Sequence, residues 1–172
     1  MKLEKILVPL DGSALAETAL QAAVALAEAT GAALLLLRAA EASALSSVGD
    51  PTVGQVEVVR EAEDYLDAVK RRFQTSTSAT IATAVWYGRP ADSIVESARV
   101  NRVDMVVMTT HGRSGLGRIL LGSVAETVIR STATPILVLH PEGAPLQASR
   151  GESGSAAPGC ASGWMSAGRI AP

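Results

Sequence analysis

Two short segments of this 172-residue chain carry residue types that can hold a small anionic ligand. One is Pro9-Leu10-Asp11-Gly12-Ser13. The other is Thr109-Thr110-His111-Gly112-Arg113-Ser114-Gly115-Leu116-Gly117. Gly112, Gly115 and Gly117 let a backbone turn its N–H groups toward a phosphate, and Arg113 adds positive charge there. Asp11 can accept hydrogen bonds from the hydroxyls of a sugar at the other end of such a ligand. The generic phosphate motifs do not fit. Gly112-x4-Gly117 has nearly the Walker A spacing, but Arg118 and Ile119 stand where Lys and Ser/Thr must reach phosphate and magnesium. Gly115-Leu116-Gly117 begins a G-x-G-x-x-G, and Leu120 takes the place of its third glycine. His111 has no Cys or second His near it in sequence, and no catalytic residue and no metal ligand is assigned.

These segments need a scaffold, and the apolar pattern describes one. Ile6-Leu7-Val8 is a short apolar run closed by turn residues, which reads as a buried strand. Ser13 is an N-cap for an Ala/Leu-rich helix reaching about Ala29, closed by Gly31. Leu34 to Leu37 is apolar on both faces, as a strand covered on both sides must be. Residues 41–54 read as a loop. Val56, Val59, Ala62, Leu66, Val69 and Phe73 then form one face of a long helix. Ile81 to Trp86 is a third strand. Pro90 and Asp92 open a third helix. Met105 to Met108 is a fourth strand, Ser123 to Ser131 a fourth helix, and Ile136 to Leu139 a fifth strand. In the fourth helix Ser123 and Glu126 match a capping box. The order β-α-β-α-β-α-β-α-β predicts a doubly wound, Rossmann-like α/β fold with a parallel sheet and right-handed crossovers. Ligands of such sheets bind beyond the carboxyl ends of the strands, where strand order reverses. Both segments sit at such ends and share one crevice if the first and fourth strands are neighbours.

Composition narrows the function. The balance of 15 Lys+Arg against 17 Asp+Glu leaves no basic footprint for nucleic acid. The single cysteine, Cys160, excludes an intramolecular disulfide framework and a cysteine zinc site. No apolar run approaches the ~20 residues of a membrane helix, and no secretory signal is visible, so a cytoplasmic location is expected. Thirty alanines against five aromatics favour close helix-on-sheet packing. Of the last 32 residues, 22 are Gly, Ala, Ser or Pro, too polar and too small to offset their ordering entropy. The expected division is a domain over 1–141 and a disordered tail over 142–172.

Val8 to Ser13, Met105 to Gly115, Leu120 to Glu126 and Thr134 to Val138, taken together in this order and spacing, resemble the universal stress protein family. The resemblance covers roughly residues 3–140 and implies a five-stranded parallel sheet in the order 3-2-1-4-5. That order makes the first and fourth strands neighbours. ATP-binding members are described by G-x2-G-x9-G-[ST]. Here Gly112, Gly122 and Ser123 match, and Thr109 stands where the first glycine belongs. The resemblance further implies that Pro9, Leu10 and Asp11 border an adenosine, and that Ala39 lines the base pocket. Met108, Thr109, Gly112, Arg113, Gly122, Ser123 and Val124 would border ribose and phosphates. ATP is the implied ligand, with Mg2+ or Mn2+ able to accompany it. The apolar fifth strand, Ile136-Leu137-Val138-Leu139, is implied to pair two copies into a homodimer. The function expected is a nucleotide-binding regulatory module in stress response. Its rival is a dimerisation module of the same family without nucleotide, motivated by Thr109. An ATP hydrolase or nucleotidyl transferase is a third reading, with any turnover slow and incidental.

Overall fold

The computed structural model describes residues 2–41, 51–110 and 122–140. Five strands and four helices alternate: β1 (Lys5–Pro9), α1 (Ala14–Thr30), β2 (Ala33–Ala40), α2 (Pro51–Gln74), β3 (Ile81–Tyr87), α3 (Pro90–Val100), β4 (Met105–Thr109), α4 (Ser123–Ser131) and β5 (Ile136–Leu139). The strands form one sheet in the order β3-β2-β1-β4-β5. Every pairing in it is parallel, and Ile6 and Leu7 of β1 stand opposite Met105 and Val106 of β4. The doubly wound α/β fold and its strand order are therefore as expected.

Strand alternation divides the core into two layers. Ile6, Val8, Leu34, Leu36 and Val107 meet Ala19, Leu20 and Ala23 of α1 and Leu66 and Val69 of α2. Leu7, Leu35, Leu37, Val106 and Met108 meet Ile94 and Ala98 of α3 and Ala125 and Val128 of α4. The runs of leucine in β2 thus serve both faces of the sheet. Four alanines of α1, Ala16, Ala19, Ala23 and Ala27, are buried on its inner face, so small side chains bring that helix close to the strands.

Helix ends follow local chemistry, with three departures from expectation. Ser13 caps α1 by accepting from the Ala16 amide, and Gly31 closes it in the left-handed region at φ 75°. Helix α2, however, starts at Pro51, so the loop predicted over 41–54 is shorter at its far end. Proline at a first helical position costs no hydrogen bond, and a lone Gly54 can be carried by a long helix. Val56, expected on the buried stripe, is 63% exposed. A 24-residue helix is about 36 Å long and an eight-residue strand about 26 Å, so the first turns of α2 overhang the sheet. The third departure is the cap of α4. Gly122 occupies the N-cap position without a side-chain hydrogen bond, and Ser123 is already helical, so the Ser123–Glu126 capping box does not form. Glu126 pairs instead with Arg130, one turn on, at 2.6 Å. Among the described residues no helix is long and apolar enough to cross a membrane. The segment 142–172 lies outside the described residues.

Candidate functional site

At the carboxyl ends of the strands the sheet opens into a cavity of about 250 Å³. It lies where β1 and β4 run side by side and the helices that follow them, α1 and α4, cover opposite faces of the sheet, the switch point of a doubly wound sheet. Pro9, Leu10 and Asp11 enter it from the end of β1, Leu37 and Ala39 from β2, and Met108 and Thr109 from β4. The N-terminal ends of three helices complete the wall: Ala16 of α1, Pro90 and Ile94 of α3, Val124 and Ala125 of α4. Right-handed crossovers return each helix over the rim where its strand ends, which is why helix starts gather here.

Backbone bonds hold the rim. The Leu10 amide donates to the Leu37 carbonyl at 2.8 Å, fastening the chain beyond β1 to β2. The Thr110 amide donates to the Leu139 carbonyl at 3.0 Å, and the buried Thr110 hydroxyl bonds to His140 Nδ1 at 3.1 Å. The carboxyl end of β4 is thereby fastened to β5 and the residue after it. The turn after β1 is ordered by Asp11, whose Oδ1 accepts from the Ser13 amide at 2.9 Å. Asp11 itself stays exposed at the cavity.

Ten of the twelve wall residues are apolar; Asp11 and Thr109 are the polar pair. Thr109 is 8% exposed. The cavity remains open with threonine in this position. Seven residues singled out from sequence, Pro9, Leu10, Asp11, Ala39, Met108, Thr109 and Val124, meet around it. Gly122 and Ser123 are at the start of α4 beside Val124, outside the wall. Gly112, Arg113 and His111 lie outside the described residues. Sequence reasoning missed Ala16, Leu37, Pro90, Ile94 and Ala125. For Ala16 and Ala125 the available signal was place, apolar residues in the first turns of α1 and α4; Leu37, inside β2, and Pro90 and Ile94 of α3 join the wall through packing. Among the described residues no cluster of three His, Cys, Asp or Glu side chains could hold a metal ion.

Residues 2–140 match the sequence profile of the universal stress protein family. The chain belongs to that family. A universal stress protein of Methanocaldococcus jannaschii is 36% identical over 140 residues, covering 79% of this chain and 81% of its own length. Among solved structures, the hypothetical protein MJ0577 of the same organism superposes with a TM-score of 0.70 at 27% identity, covering 83% of this chain and 99% of that one. A universal stress protein solved in complex with cAMP superposes with a TM-score of 0.53 at 27% identity, covering 81% of this chain and 98% of that one. The family assignment and the fold agree: both describe the same five-stranded α/β unit.

Proposed function

We propose that this protein is an adenine-nucleotide-binding regulatory module of the universal stress protein type, with ATP as ligand and a homodimer as its working form. One observation carries the reading. A single cavity at the β1/β4 switch point gathers the residues expected to border an adenosine, and a family relative is described in complex with cAMP. Its apolar walls suit the faces of a purine, and Asp11 suits the hydroxyls of a ribose. At about 250 Å³ it falls below the roughly 300–1,000 Å³ of pockets that enclose a whole drug-sized ligand. A base and sugar fill it, and a triphosphate extends outside.

The start of α4 suits that overhang. The first amides of a helix lack intrahelical partners and favour an anion. The Ser123 hydroxyl is not spent on a cap, and Glu126, whose charge would repel phosphate, is paired with Arg130. Gly122, Ser123 and, from the connection before them, Gly112 and Arg113 are assigned to the phosphates. Mg2+ or Mn2+ would ride on the phosphates and water, the usual manner for Mg2+ with a nucleotide. No residue is assigned a catalytic role, and regulation by binding rather than turnover is the activity proposed. The location proposed is cytoplasmic, and residues 142–172 are proposed to stand outside the folded unit of residues 1–141.

Equilibrium binding of labelled ATP with magnesium tests this. Saturable binding is expected, and its absence at millimolar nucleotide would remove the reading. The second reading, a dimerisation module without nucleotide, has Thr109 in its favour, because a buried side chain stands where the motif has glycine. It predicts that Thr109→Gly gains ATP binding that the wild-type chain lacks.

A further inference from the structure

Arg38 is next to Ala39 on β2 but outside the cavity wall. Alternation turns its side chain to the face covered by α1 and α2. That side chain is only 20% exposed. Its guanidinium carbon stands 4.7 Å from the centre of the Tyr65 ring, and Nη2 is 3.9 Å from Oε1 of Glu61. Its Nη1 lies so close to Gly12 that a Cβ built there would approach it to 2.7 Å. One guanidinium thus touches the turn after β1, through Gly12, and helix α2, through Tyr65 and Glu61.

The surroundings brace this contact. The Tyr65 hydroxyl donates to Glu17 Oε1 at 2.9 Å, and Arg72 pairs with the same carboxylate. Burial, then the bond to Glu17, pushes the Tyr65 phenol far above its usual range, so it remains a neutral donor. Gly12 has φ +84° and no side chain, which lets a flat cation lie against its backbone. Guanidinium is suited to this work because it is planar, always charged and packs on aromatic faces, which an ammonium does less well.

We infer that Arg38 is a positioning residue for nucleotide binding: it holds the Asp11–Gly12 turn so that the Asp11 carboxylate meets the sugar hydroxyls of the ligand. The inference rests on the nucleotide reading above. It predicts a ligand-selective effect that a general loss of stability would not produce.

The test titrates ATP and its 2′,3′-dideoxy analogue into the full chain, as wild type, Arg38→Met and Arg38→Lys. Wild type prefers ATP. Arg38→Met weakens ATP binding about tenfold, the scale of one hydrogen bond to a charged group, while the analogue's affinity changes little. Arg38→Lys keeps the stem and charge, shows the same selectivity to a smaller degree, and serves if the methionine variant does not fold. Equal losses for both ligands, an unchanged preference in the variants, or a wild type that binds both ligands equally would overturn the role of Arg38. A wild type that binds neither ligand removes the nucleotide reading itself, a different result from binding that ignores Arg38.

Discussion

Gly12 and Gly31 both sit at positive φ, 84° and 75°, yet their surroundings differ. A Cβ on Gly31 would meet nothing within 4 Å, whereas one on Gly12 would meet Arg38. Gly31→Ala is expected to cost about 1 kcal/mol, the left-handed penalty alone. Gly12→Ala is expected to cost about 2 kcal/mol or more, because the guanidinium must also move. Urea midpoints of the two variants check this, and equal or reversed losses would contradict it. The need for Gly31 was readable from its place after an apolar helix. The second demand on Gly12 was not, because Arg38 is 26 residues away and no local pattern links them. Likewise Asp11 and Thr109 were visible as polar residues at strand ends, while Pro90 and Ile94 became wall residues only through packing. Whether Thr109 blocks the cavity was undecided by sequence, since that depends on the space around it.

At the scale of elements, the strands were legible because both faces are buried, which gives unbroken apolar runs such as Leu34 to Leu37. Ends were less so. The start of α4 offered Ser123 as a cap, and Gly122 took that position; a shift of one residue at a helix end is the kind of detail a local pattern does not fix. One junction between elements is electrostatic. The Asp104 carboxylate ahead of β4 accepts from the Glu4 amide at 2.8 Å and the Lys5 amide at 2.9 Å, pinning the start of β1. The bond from Glu4, then that from Lys5, holds its pKa below the ordinary 3.8. A carboxyl depressed on folding stabilises above its unfolded pKa, and that contribution fades as pH falls through the acid range. Asp104→Asn should therefore lower the urea midpoint at pH 7, and the gap from wild type should close as pH falls below about 4. A gap that persists or widens in acid would contradict the assignment.

At the scale of the whole molecule, the sheet ends in β5, whose four apolar residues are all half-exposed. An apolar edge strand invites pairing with another chain. The carbonyls of Pro135 and Leu139 bond toward β4, so by alternation the Val138 amide faces away from it. Val138→Pro removes that outward amide while sparing the bonds to β4. Sedimentation is expected to find a dimeric wild type and a monomeric, folded variant; a variant that stays dimeric would exclude pairing through β5. The doubly wound topology was legible from element order alone, because parallel strands need crossover helices and these have one hand. That topology sets β1 beside β4 and opens the cavity between their ends. The most direct test of what fills it is a crystal grown with ATP and magnesium. Density for a base and sugar between Asp11, Ala39 and Thr109, with phosphates running toward Gly122, is the predicted result. An empty cavity beside nucleotide bound elsewhere on the molecule would contradict the account.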